Sequence, residues 1–346
     1  MVRMESQHQR ITRRSMLQLG AMAALSMGTS PVFARHAKAQ RCLFLNLVGG
    51  PSHLDTWDPK PHAPSEFRGP FNAIPTKVPG LHFTELFPRM AAMADRLAVV
   101  RSVFHDAAPI HETGQQLIQQ GQMVTPHTHC SQGIVLPGLI ENTGVQLSHG
   151  QDGLQTLPVP VSLNSRQSER YGDHPFGKAC LQARYALEAG HRHVTVNMFQ
   201  TVYNSLSWDC HADGGELNVN LDDYRLRIAP MFDATYTALL TDLSDSGLLD
   251  STLVVASGEF GRSPRINIRG GRDHWAGAWT ALFAGAGVYG GQIIGATDRL
   301  GMEPTLRPVH ASAIANTIKA AMGLNPEIRH HHGQPIHELF GSRVSS

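Results

Sequence analysis

Four segments of the 346-residue chain gather acids and imidazoles: His53 with Asp55, His105 with His111, Asp209 with His211, and Glu259 with Asp273 and His274. Carboxylate and imidazole together suit Zn²⁺, Mn²⁺ or Fe, whereas Mg²⁺ and Ca²⁺ prefer oxygen alone. A single Asp-x-His pair is a common chance pairing, and a turn or an N-capping acid accounts for any one segment. Four segments amount to a site only if the fold brings them together. The chain holds 20 histidines, and several fall in loops rather than in apolar periods, which suits metal chemistry better than packing.

The elements that could gather them read as alternating strands and helices. Leu253–His274 is the organising stretch. Its β-branched apolar start has the pattern of a strand buried on both faces of a parallel sheet. It breaks at Gly258, presents Glu259, and runs through a Gly-, Pro- and Arg-rich loop to Asp273 and His274. Further strands are expected over Cys42–Val48, Leu97–Val103, Val159–Leu163, His193–Phe199 and Trp279–Ala284. Helices are expected over Leu86–Ala94, Gln115–Gln120, Phe176–Ala189, around Tyr236 to Leu243, and over Ala311–Met322. Each candidate pair lies in or near the first irregular segment after a strand, where α/β sheets bind ligands. His111 and Thr113 fall near a helix start, which favours a bound anion and should lower an imidazole pKa. Thr113 also reads as an ordinary cap.

The alternation from 42 to 322, without repeat or low-complexity linker, reads as one doubly wound α/β domain over 40–346. Residues 1–39 read as a twin-arginine signal peptide. Arg13-Arg14 precede a weakly apolar run too short to span a membrane, with cleavage points at Ala34 and Ala39. Such a signal implies export of the folded protein through the twin-arginine translocase to the periplasm or beyond. A formal net charge of +1 gives no basis for a nucleic-acid partner. Cys42 and Cys180 read as core thiols; Cys130 and Cys210 complete a set of 4 whose pairing sequence cannot choose.

The segments GGPSHLDTWDPKP, LAVVRSVFHDAAPIHETG, SERYGDHPFGKACLQAR, SWDCHAD, GEFGRSPRIN and GGRDHWAGAW, in this order, resemble the exported bacterial proteins of domain-of-unknown-function family 1501. These are called sulfatase-like and grouped with the alkaline phosphatase and sulfatase superfamily. The resemblance covers nearly the whole mature chain. It implies an alkaline-phosphatase-like α/β fold, a largely parallel central sheet flanked by helices on both faces. It also implies one or two divalent ions, Zn or Mn, around a phosphate or sulfate ester. By that resemblance Asp209 and His211 match the superfamily's Asp-and-His ligand pair, Glu259 replaces a ligating Asp, and His274 matches a later ligand with Asp273 behind it. Gly49-Gly50 occupies the place of a ligating Asp, for which Asp55 or His53 would substitute. The usual Ser, Thr or Cys nucleophile is missing; His111 falls about where it belongs. Chemistry would then use His111, a metal-activated water or Thr113, with Arg262 or Arg272 holding the anion. Two readings result: an exported metal-dependent hydrolase acting on small anionic esters or on sulfated or phosphorylated glycans, or a non-catalytic periplasmic protein with a degenerate pocket.

Overall fold

The computed structural model describes residues 39–123, 145–149, 152–157 and 164–341, with 145–149 and 152–157 as backbone alone. The signal peptide at Arg13-Arg14, the strand expected over Val159–Leu163 and Cys130 lie outside the described residues. No helix among the described residues is long and apolar enough to cross a membrane.

A nine-stranded sheet carries the molecule. Its strands are β1 (Arg41–Asn46), β2 (Ala98–Phe104), β3 (Val145–His149), β4 (Asp152–Leu157), β5 (His193–Asn197), β6 (Thr252–Ser257), β7 (Trp279–Ala284), β8 (Gln292–Ile294) and β9 (Val309–His310). The spatial order is β8-β2-β7-β6-β1-β5-β3-β4, with β9 on the edge of β2 beside β8. β5, β1 and β6 form a parallel centre. β7 runs antiparallel between β6 and β2, and β3 runs antiparallel to β5 and β4. Every other strand shares the direction of β1, so the sheet is mixed but largely parallel.

The continuous apolar runs are strands with a core on each face. Leu43 and Leu45 of β1 enter one cluster with Val194, Val196, Val254 and Ala256. Cys42 and Phe44 enter the other with Leu253, Val255, Ala281 and Phe283. Each large apolar side chain so buried contributes roughly 1.5–3 kcal/mol. Four principal helices cover the faces: α1 (His111–Gln120), α2 (Pro175–Glu188), α3 (Ala229–Asp245) and α4 (Ser312–Ala321). Phe176, Cys180 and Leu187 of α2 and Phe232, Tyr236 and Leu240 of α3 close the first core. Leu117 and Ile118 of α1 and Ile314 and Ile318 of α4 close the second. Cys42, Cys180 and Cys210 are buried free thiols.

One expectation changes. The helix expected from Gln115 begins at His111, in a stretch of His, Thr and Gly that has little helix propensity of its own. The largely parallel sheet is as expected, and its two antiparallel members, β7 and β3, could not be picked out because apolar runs carry no information about strand direction.

Candidate metal centre

The parallel strands deliver their following loops to one edge of the sheet. β1 leads into Gly49-Gly50, β2 into the loop that ends at His111, β5 into the long loop carrying Asp209 and His211, and β6 into Glu259. A two-residue antiparallel ribbon, Gly261–Arg262 against His274–Trp275, pairs Arg262 directly with His274. Asp209 is held from behind by Trp208, which packs in the core against Trp57 and Phe232 and donates its backbone N–H to Val48 O at 3.1 Å. The glycine at 49 is required by this approach. A Cβ there would lie 2.4 Å from Asp209 N, and φ is +105°.

Asp209 is the hub and is fully buried. Its Oδ2 faces His111 Nε2 at 3.0 Å and His274 Nε2 at 3.1 Å. Its Oδ1 accepts from Arg262 Nη1 at 2.7 Å and from His211 Nδ1. Both Nε2-bearing rings are oriented from behind. His111 Nδ1–H donates to Glu259 Oε1 at 2.5 Å, and His274 Nδ1–H donates to Pro109 O at 2.8 Å. The Nε2 of each ring then faces the same carboxylate oxygen, Asp209 Oδ2, an arrangement that calls for positive charge between them. Glu259 is fixed in turn by Gly49 N–H at 2.9 Å and Gln115 Nε2 at 3.2 Å.

The electrostatics agree. Burial lowers the His111 pKa, but hydrogen bonds to Asp209 and Glu259 outweigh it and raise the value to about 9. The helix start was expected to keep this imidazole neutral; two flanking carboxylates win over the dipole. Burial likewise opposes ionisation of Asp209, yet Arg262 and hydrogen bonds from His111, His211 and His274 hold it well below the usual carboxylate range. His274 is lowered, burial outweighing its bond to Asp209. The cluster therefore stabilises positive charge at Asp209 Oδ2, either as a proton on His111 or as an ion.

Donor atoms of His111, Asp209 and His274 lie within 4.8 Å of one another, as a metal site requires. Two imidazoles and one carboxylate, each ring fixed through its far nitrogen, fit a divalent ion of the Zn²⁺ or Mn²⁺ type. Of the residues singled out by sequence, the structure brings together His111, Asp209, His211, Glu259, Arg262 and His274. Glu259 acts through His111 rather than at the donor trio. His211 lies on the other oxygen of Asp209, partly exposed, with its ring edge-on to His274.

Other residues are placed elsewhere. Asp55 is bound by Arg272 Nε and by the Ser52 hydroxyl, both at 2.5 Å. His53 Nε2–H donates to Gly301 O at 2.9 Å, and burial lowers its pKa to about 4. Asp273 is exposed and accepts from Asn267 Nδ2 at 3.0 Å, and Pro109 O takes the role expected of it behind His274. Thr113 is buried in the first turn of α1, whose N-cap residue is Ile110. Neither arginine is free to hold an anion. Arg262 spends its guanidinium on Asp209 and on the carbonyls of Gly49 and Gly50. Arg272 spends its own on Asp55 and on the carbonyls of Phe67, Ser263 and Pro264. Thus guanidinium and carbonyls occupy the end of β1, and neither Asp55 nor His53 substitutes there for a ligating acid.

Sequence reading missed Gln115 and Gly114. Gln115 is four residues beyond His111 on the same helix face, a spacing that could have revealed it. Gly114 lets α1 touch the backbone after β6: a Cβ there would stand 2.4 Å from Glu259 O and 2.9 Å from Glu259 Cβ. In an exposed helix, Gly→Ala stabilises by roughly 0.5–1 kcal/mol. Gly114→Ala should instead destabilise by about 1–3 kcal/mol and weaken metal binding, since α1 must shift off Glu259. Denaturant unfolding checks the sign, and a stability gain would show that the contact yields easily.

Fold and cluster together define a mixed α/β protein with an acid–imidazole site at the carboxyl edge of its sheet. The chain belongs to the family described as protein of unknown function (DUF1501), which matches residues 39–139 and 161–343. No curated protein matches it. Among solved structures, PsFucS1 sulfatase from Pseudoalteromonas sp. is similar at 12 % identity, covering 96 % of this chain and 77 % of that one, with a TM-score of 0.47. A Bacteroides thetaiotaomicron sulfatase described with a glycosaminoglycan-metabolism locus matches at 11 % identity over 89 % and 78 %, with a TM-score of 0.48. The phosphonate monoester hydrolase SpPMH from Silicibacter pomeroyi matches at 17 % identity over 53 % and 31 %, with a TM-score of 0.26.

Proposed function

We propose that this protein is a metal-dependent hydrolase of phosphate or sulfate esters that works after twin-arginine export. The observation that carries the reading is the convergence of His111, Asp209 and His274 donors at the carboxyl edge, with both histidines oriented by acceptors behind them. When bound, a divalent ion supplies Lewis-acid polarisation of the ester oxygen. His111 Nε2, His274 Nε2 and Asp209 Oδ2 would hold it. Glu259 and Pro109 O fix the two rings, and Arg262 locks the Asp209 carboxylate. Asp209 binds His211 at Nδ1, which leaves Nε2 of that partly exposed ring to take or return a proton at the reacting oxygen. With both arginines engaged, the anion meets His211 and the ion. Small anionic esters and sulfated or phosphorylated glycans are the substrate class.

The engagement of Arg262 and Arg272 favours one alternative, a non-catalytic pocket that binds without turnover. One experiment decides. Protein purified without added chelator is analysed for Zn and Mn and assayed on a panel of aryl phosphate and aryl sulfate esters. Hydrolysis abolished by chelator and restored by Zn²⁺ or Mn²⁺ supports the enzyme. Bound metal with no hydrolysis of any ester supports the non-catalytic pocket.

Export is tested separately. Replacing Arg13 and Arg14 with Lys should leave the precursor in the cytoplasm, read by fractionation. Normal periplasmic delivery of that variant would show that the arginine pair is not the signal.

A further inference from the structure

Away from this site, a stack of imidazoles joins the C-terminal segment to the loop that leads to His111. Register pairing of β9 with β2 sets His310 beside Phe104, directly before the loop that carries Asp106. The C-terminal segment folds back to the same place, and His310 N–H donates to His332 O at 3.1 Å. The rings of His310 and His330 stack with centroids 4.0 Å apart and planes 15° from parallel. His310, His330 and His332 all meet the Phe104 ring edge-on.

Hydrogen bonds fix where the protons sit on the two stacked rings. Ser312 N–H and the Ser312 hydroxyl donate to His310 Nδ1 at 3.3 and 2.8 Å. His332 N–H donates to His330 Nδ1 at 3.1 Å. A ring nitrogen that accepts carries no proton, so in each neutral ring the proton is on Nε2. Both Nε2 atoms face Asp106, at 3.5 and 3.7 Å. A second proton must therefore enter at Nδ1, against a backbone N–H that already points there. Charging both rings breaks those bonds and sets two imidazolium ions face to face. Asp106 offsets one added charge, not two. The other charged and titratable groups around the pair are His105, His331, His332 and Arg307, and Arg307 is paired with Glu338, beside His337. Lys319 of α4 is spent on Gln120 O at 3.1 Å.

The ends of the segment are held by groups that do not titrate. Asn316 Nδ2 donates to Glu327 O and Gly333 O, and Ile336 N–H donates to Thr317 Oγ1. We infer that His310 and His330 form an acid-opened latch, which clasps residues 328–332 against Phe104 and Asp106 and releases them when both rings take up a proton. Opening frees Asp106, five residues ahead of His111, and with it the start of the loop into α1. Burial and the neighbouring His330 lower the His310 pKa to about 4, and burial lowers those of His330 and His332. These values lie below the ordinary imidazole value, so the opened segment binds protons more readily than the closed one. The latch is at full strength above about pH 6.5 and weakens as the pH falls toward about 4.

Hydrogen exchange on the full chain tests this, compared at about pH 7.5 and about pH 5 after correction for intrinsic rates. Fragments over 324–336 and 304–312 should show opening at least tenfold more frequent at the lower pH, with β6 protected equally at both. Asn at 330 can accept the His332 N–H without titrating. His330→Asn should therefore reduce the rise, and His310→Asn/His330→Asn should abolish it. The single change, at a partly exposed position, decides the matter if the double variant does not fold. His331→Asn should respond to acid as the wild type does. The latch is overturned if protection is the same at both pH values, or if His330→Asn responds like the wild type. It is equally overturned if His331→Asn removes the response, or if β6 loses protection in step, which would mark general acid unfolding.

Discussion

Asp209→Ala should destabilise the fold by about 3–5 kcal/mol and abolish metal binding at the acid–imidazole cluster. The carboxylate and the Arg262 guanidinium are both fully buried and paired at 2.7 Å. Removing the acid leaves a fully buried guanidinium with no counter-charge. Arg262 cannot relax outward, because its other nitrogens are bound to the carbonyls of Gly49 and Gly50. His111 and His274 lose the carboxylate oxygen that both face in the same step. Asp209→Asn keeps the shape without the charge and should fall between wild type and Asp209→Ala. A double-mutant cycle with Arg262→Met isolates the pair, and removing both partners should cost less than the two single changes added together. Denaturant midpoints and slopes give the free energies, and elemental analysis gives the metal. A loss below about 1 kcal/mol for Asp209→Ala would mean that the buried charge finds water or another partner.

The second large effect is expected at His111. Replacement with Gln or Ala should lower ester hydrolysis by about 10²–10⁴-fold, whichever ester the wild type cleaves. Gln retains the helix start and some reach but cannot bridge Glu259 and Asp209 as an imidazole does. The metal content separates the roles. Loss of metal with activity identifies a ligand, the role its geometry fits. Loss of activity with metal retained identifies a nucleophile or proton carrier. Glu259→Gln provides the companion measurement. Because Glu259 acts through the ring, it should weaken metal affinity by roughly 10–100-fold rather than remove the ion. Full activity in both His111 variants would reduce the residue to a structural role.

The parts of this site legible in sequence were those set by local pattern. A continuous apolar run ending in an acid marked β6 and Glu259, because a strand buried on both faces needs no alternation. The Asn164-Ser-Arg-Gln167 signature was also present, and it forms a capping box at Ser165–Tyr171; its segment was passed over for lack of apolar periodicity. What pattern could not supply was pairing at long range. His53 and Asp55 have the composition of metal ligands, yet Asp55 is claimed by Arg272, 217 residues further on. Arg262 and His274 enter the site as register partners on a ribbon of two residues per strand, too short to leave any period. The start of α1 at His111 was hidden for a related reason. Gly114 weakens the helix locally, and only the approach of Glu259 explains why it is there.

Asp209 meets His274 across 65 residues and His111 across 98, and His111 meets Glu259 across 148. Contacts of such separation form only after large loops have closed, so the trio contributes to a high contact order. No short segment of the chain holds enough of these donors to capture an ion and nucleate structure around it, as the compact ligand spacing of a zinc finger does. An ion bound at this cluster would thus arrive late, as a report that the whole central sheet has assembled rather than a seed for its assembly.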